Sequence, residues 1–112
     1  MNFQSTKKIK YWIQASRIET LPLSISGIIV GSFYAFYNYS FDKIIFVLSI
    51  ITAISFQILS NFANDYGDGV LGTDNNRIGP KRVIASGKLT LKELKKGIIV
   101  NVFISILSLI HI

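Results

Sequence analysis

Two long runs without a single charged residue constrain this chain more than anything else in it: Thr20 to Phe41, and Ile44 to Asn64. Each supplies the roughly 20 apolar residues that a helix needs to cross about 30 Å of hydrocarbon. Within hydrocarbon the backbone must satisfy its own hydrogen bonds, so such runs are helices rather than open strands. A third run begins at Gly97 and reaches Ile112. At ~1.5 Å per residue it covers about 24 Å. The expected fold is therefore all-α, with polytopic transmembrane helices over about 20–41, 44–64 and 97–112 in a single membrane domain, 1–112, and a loop at 65–96. Only 16% of residues are charged and mean hydropathy is +0.46, against roughly 25% charged in soluble domains. Without cysteine the chain has no disulfide and no thiolate metal site.

Lysine and arginine give the orientation. Four precede the first span (Lys7, Lys8, Lys10, Arg17), one (Lys43) separates the first two, and seven lie between the second and third. Two crossings return the chain to its starting side, so the basic residues gather on one face, which the positive-inside rule makes cytoplasmic. A signal peptide is disfavoured by the length of the first apolar core and the immediate second span. Pro22 suits a helix start, and Gly27 and Gly31 are spaced for a close helix approach. Trp12 and Tyr11 suit a short interfacial helix on the inner side, and Tyr34, Tyr37 and Tyr39 an aromatic belt on the outer side. Thr90-Leu-Lys-Glu93 has the form of a capping box.

The chemistry concentrates where the second span ends. Asn61-Phe-Ala-Asn64-Asp65-Tyr66-Gly67-Asp68-Gly-Val-Leu-Gly72-Thr-Asp74 holds three of the six acidic residues within ten positions. Ionisable groups at a membrane boundary mark a functional site by default. On a continued helix Gln57, Asn61, Asn64, Asp65 and Asp68 fall within a sector of about 100°. Asp65 and Asp68, three apart, project side by side. Gly67, Gly69 and Gly72 then favour unwinding, which would let Asp74 swing back to the same place. Arg77, Lys81 and Arg82 follow and offer permanent positive charge, with the arginine fork suited to phosphate. Acid followed by base, without histidine or cysteine ligands, suits Mg²⁺ held by one or two carboxylates and by phosphate oxygens. The spacing matches neither an EF-hand nor a Walker loop. A solvated turn-rich loop and a lipid-anchoring basic run are the alternatives that spacing leaves open.

The run from Asn61 to Asp74, followed by Arg77-Ile-Gly79-Pro80-Lys81-Arg82 and Ala85-Ser86-Gly87, resembles the first aspartate-rich motif of the UbiA superfamily of intramembrane prenyltransferases. It is closest in form to the 1,4-dihydroxy-2-naphthoate branch of menaquinone biosynthesis, and Thr20-Leu-Pro22 resembles the family's lead into its first span. The resemblance implies a bacterial cytoplasmic-membrane enzyme of about nine helices, with these three spans as its N-terminal third and a second aspartate motif elsewhere. It implies transfer of a polyprenyl group from polyprenyl diphosphate to 1,4-dihydroxy-2-naphthoate, with loss of the carboxyl group, giving demethylmenaquinone. Asp65 and Asp68 would hold Mg²⁺, with Asp74 as a further metal ligand. Asn61, Asn64, Arg77, Lys81 and Arg82 would bind the diphosphate. Asp74 stands six residues after Asp68 where the superfamily often places its third aspartate four after the second, and Ile18-Glu19 replaces the usual proline and basic residue. The alternatives are another aromatic acceptor, or a non-catalytic membrane protein whose basic loop binds lipid or a partner.

Overall fold

The computed structural model describes residues 3–71 and 89–112, with side chains from Lys8 onward. Four α-helices account for nearly all of it: α1 (Phe3–Ser16), α2 (Leu21–Asn38), α3 (Lys43–Leu71) and α4 (Leu91–His111). A short 3-10 turn, Ile18–Thr20, joins α1 to α2. Among the described residues there is no strand. Three segments, Lys8–Asn38, Lys43–Leu71 and Leu91–His111, are long and apolar enough to cross a membrane. The all-α polytopic expectation is met.

Local chemistry explains the boundaries. Pro22 lies in the first turn of α2, where its missing N–H would have no intrahelical partner in any case. Asp42 opens α3: its Oδ1 accepts from the backbone N–H of Ile44 at 2.9 Å and of Ile45 at 3.2 Å, meeting two donors that a helix start leaves unpaired. Thr90 opens α4 with a reciprocal capping box. Its hydroxyl accepts from Glu93 N at 3.1 Å while Glu93 Oε1 accepts from Thr90 N at 3.4 Å. Helix α4 thus begins well before the apolar run at Gly97.

The end of α3 departs from expectation. The glycines at 67 and 69 do not unwind it, and residues 65–71, expected at the start of a loop, are helical. Each glycine costs up to about 1 kcal/mol against alanine, but tertiary packing of one face stabilises a helix more than propensity does. Here Phe62 and Asp65 are buried and Tyr66 packs against the core. Those contacts anchor α3 up to the first of the two glycines, and beyond them Val70 and Leu71 are exposed. At ~1.5 Å per residue its 29 residues reach about 43 Å, well beyond the hydrocarbon thickness.

Helix α4 packs along α3 through small polar side chains. Thr52 and Ser55 on α3 meet a face of α4 bearing Asn101, Ser105 and Ser108, all buried. Thr52 Oγ1 donates to Ser108 Oγ at 2.8 Å, and Ser108 donates to the Ser105 carbonyl at 3.0 Å. Small residues let helix backbones approach closely in a medium where apolar burial gives no advantage. The buried apolar cluster is confined to one end of the bundle: Ala15, Phe62, Leu89 and Leu94, flanked by Tyr11, Trp12, Ile58, Tyr66 and Ile98. Trp12 meets Phe62 edge-on, with centroids 5.5 Å apart. Helix α1 therefore lies against the same end of α3 and α4 that carries the acidic motif, and Lys8 Nζ reaches Glu93 on α4 at 2.6 Å. Helix α2 has no buried residue. Gly27 and Gly31 on it face open space, so the close approach expected of them is not made among the described residues.

Candidate functional site: a buried ion pair at the end of α3

Because α3 stays helical, its polar positions keep their common bearing. Gln57, Asn61 and Asp65 are successive steps of four along one face, and that face meets the elbow between α1 and α2. Ser24 on α2 donates to Gln57 Oε1 at 2.7 Å, and Gln57 Nε2 donates to Asn61 Oδ1 at 3.4 Å. Asn61, itself buried, spends its amide protons on the elbow: Nδ2 donates to the Ser16 carbonyl at 2.9 Å and to Thr20 Oγ1 at 3.2 Å. Thr20 Oγ1 in turn donates to the Arg17 carbonyl at 2.8 Å. Asn61 therefore ties the second span to the chain just before the first, and the polar stripe looks inward as a membrane bundle requires.

Asp65 lies at the top of this ladder and is 1% exposed. Its Oδ1 pairs with Nη2 of Arg17, whose side chain is 15% exposed. An isolated buried carboxylate is costly enough that it must find a cation or lose its charge, and Arg17 is that cation here. The backbone of Arg17 is unusual. Its φ of 51° and ψ of 66° place it in the left-handed region, the only described non-glycine residue with positive φ. Hydrogen bonds fix it on both sides: Arg17 N donates to the Gln14 carbonyl at 3.3 Å, and Thr20 N donates to the Arg17 carbonyl at 2.9 Å. The conformation ends α1 and turns the guanidinium toward α3. One feature of the pair is left unmet, because Arg17 Nε is buried without a hydrogen-bond partner among the described residues.

The expected site residues divide accordingly. Asn61 and Asp65 are brought together in the buried network; Asp68, one turn along the same helix, is half-buried; Asn64 is exposed on the neighbouring face. Asp74, Arg77, Lys81 and Arg82 lie outside the described residues. Among the described residues no three carboxylate or imidazole groups converge on one point. The hard oxygen donors Asp65 and Asp68, side by side on one helix face, fit a cation such as Mg²⁺ that needs one or two carboxylates and completes its shell with water and phosphate. The fit carries a condition, since Arg17 already occupies Asp65 Oδ1. Arg17 itself was not among the expected site residues. Its signal was available: a lone arginine beside the first span, in a chain whose second span ends on a carboxylate needing a counter-charge.

Three membrane-length segments, with a charged pair at one end where the elbow between α1 and α2 meets α3, define a polytopic integral membrane protein with a polar site at one end of its bundle. Comparison with known proteins narrows this. The chain is 42% identical over 109 residues, 96% of its length, to the 1,4-dihydroxy-2-naphthoate octaprenyltransferase of Escherichia coli (strain K12), of which it covers 35%. It is 44% identical over 105 residues to the enzyme of that name from Haemophilus influenzae, covering 91% of this chain and 34% of the relative. Over 75 residues it is 35% identical to the one from Mycobacterium tuberculosis, covering 67% of this chain and 26% of the relative. No family profile matches the chain, and no solved structure matches it. Nearly the whole chain is therefore similar to one part of a longer prenyltransferase sequence. It spans about a third of the length of the curated relatives it matches.

Proposed function

We propose that this chain carries the diphosphate-binding half-site of a prenyltransferase that joins a polyprenyl group to 1,4-dihydroxy-2-naphthoate with loss of the carboxyl group, leading to demethylmenaquinone. The observation that carries the reading is the buried Asp65, one turn from Asp68, at the end of a membrane-length helix in a chain similar to enzymes of that name. Asp65 and Asp68 would hold Mg²⁺, with Asp74 as a further ligand. When bound, the metal neutralises negative charge on the diphosphate as it departs. Arg77, Lys81 and Arg82 would add fixed cations at the same leaving group, where charge builds as the allylic C–O bond breaks. Asn61 holds α3 against the elbow and so fixes the bearing of the carboxylates. Asn64, exposed on the neighbouring face, would offer its amide to a diphosphate oxygen. The site would face the cytoplasm, by the excess of basic residues on that side. The remaining helices of the bundle would close the cavity and exclude water, which limits hydrolysis of the allylic cation.

The test uses membranes containing the full-length gene product, labelled octaprenyl diphosphate and 1,4-dihydroxy-2-naphthoate. Asp65→Asn and Asp68→Asn should each lower the rate by at least about a hundredfold, the scale seen when a group stabilising transition-state charge is removed. Prenyl transfer that survives both substitutions would overturn the metal-site reading. Transfer only to 4-hydroxybenzoate, offered in parallel, would reassign the acceptor.

A further inference from the structure

We infer that Arg17 is a resident counter-ion that occupies the Asp65 carboxylate when no metal is bound and must release it for a divalent cation to enter. The inference rests on the metal reading of Asp65 above, and deepens it. Arg17 Nη2 already sits on Oδ1 of Asp65, so a divalent cation arriving at that carboxylate would meet a like charge at contact range, where a low-dielectric site makes the repulsion strong. Asp65 is 1% exposed whereas Arg17 keeps 15% of its side chain exposed, so Arg17 is the outer member of the pair. A cation approaching from water meets the guanidinium before the carboxylate.

Two further observations separate this arrangement from an ordinary structural salt bridge. First, the buried Nε of Arg17 has no hydrogen-bond partner among the described residues. An arginine kept only for stability would present its fork so that its buried donors are met, because an unmet buried donor is disfavoured. Second, the guanidinium is aimed by a left-handed backbone conformation held on both sides by hydrogen bonds. Strained backbone of this kind persists where the surrounding structure over-determines it, and it is concentrated at ligand clamps and switches. The side chain can leave Asp65 by rotating its own bonds while the elbow stays in place, anchored by Asn61 to Ser16 and Thr20. Neutralising Asp65 in the metal-free state would also keep the end of α3 buried and helical before substrate arrives.

The test is Mn²⁺ binding, read by electron paramagnetic resonance, to the full-length gene product in detergent without diphosphate. Arg17→Gln should bind Mn²⁺ at least about fivefold more tightly than wild type, the lower edge of an ordinary coupling between two sites. Arg17→Lys, which keeps the charge but offers a single point of contact, should fall between them and guards against a variant that fails to fold. In the wild-type protein, Mn²⁺ should increase the modification of Arg17 by phenylglyoxal, mapped by mass spectrometry. Unchanged or weaker Mn²⁺ binding in both Arg17 variants, or Arg17 reactivity indifferent to Mn²⁺, would overturn the inference. Asp65→Asn distinguishes the two levels of failure. If it weakens Mn²⁺ binding while the Arg17 variants do nothing, only the counter-ion role falls. If it leaves Mn²⁺ binding unchanged, the metal reading falls and the counter-ion role with it.

Discussion

Arg17 combines two costs that nearby structure offsets: a left-handed backbone, disfavoured for an L-residue by about 1–2 kcal/mol, and a half-buried guanidinium. The two can be separated by experiment. Arg17→Ala and Arg17→Gly both delete the charge, yet only glycine adopts positive φ freely. Arg17→Gly should therefore be more stable than Arg17→Ala by about 1 kcal/mol in detergent unfolding. Equal stabilities would mean that the elbow relaxes out of the left-handed region once the guanidinium is gone. Asp65 is the other half of the pair. Its burial was legible as a stripe of polar residues at helical spacing, but its partner lies 48 positions away, a distance over which no local pattern reaches.

Helix α1 is placed by a contact that only glycine permits. A Cβ built on Gly97 would come within 2.5 and 2.6 Å of Cζ3 and Cη2 of the Trp12 ring, so that edge of the ring lies against the α4 backbone. Gly97→Ala should push Trp12 out of the cluster it shares with Phe62 and destabilise the protein by about 1–3 kcal/mol, the range for overpacking. Trp12→Phe should relieve part of that loss, so the double variant should fall short of the sum of the singles in thermal unfolding. Strict additivity would show that the two residues do not meet. At the other end of the bundle Phe36, Phe41 and Phe46 form a chain of ring contacts, with centroids 5.9 and 5.5 Å apart, around the connection from α2 to α3. The capping box of α4 and the proline start of α2 followed directly from short-range sequence signals. The extension of α3 past two glycines did not, since glycine propensity argues against it.

For the molecule as a whole, the apolar surface is consistent with a bundle that works in lipid. Leu23, Val30, Phe33 and Phe36 on α2 and Val100, Phe103 and Ile110 on α4 are all exposed, while Thr52, Ser55, Asn101, Ser105 and Ser108 are buried between α3 and α4. A soluble domain arranges these the other way round. The basic residues predict which way it sits. In a cysteine-free background, single cysteines at Ser40 and at Thr90 should differ in reactivity toward a membrane-impermeant maleimide added to intact cells. Position 40 should label at once and position 90 only after lysis. The reverse order would overturn the orientation that places the Asp65 site on the cytoplasmic face.

The sequence by itself determined that the chain is helical, where its apolar spans fall, how α2 and α4 begin, and which motif carries the charge. Each of these is written in neighbouring residues: charge-free length, Pro22, Thr90 with Glu93, and aspartates three apart. The tertiary structure decided the rest, because the rest depends on groups distant in sequence. It decided that α1 folds back onto the motif end, that Asn61 bonds to the Ser16 carbonyl, and that α3 remains helical through residues 65–71. It also decided that the buried carboxylate is met by Arg17. A low-dielectric interior forces Asp65 to find a cation, but spacing along the chain does not say which of the chain's basic residues supplies it; only the left-handed turn between α1 and α2 brings Arg17 there.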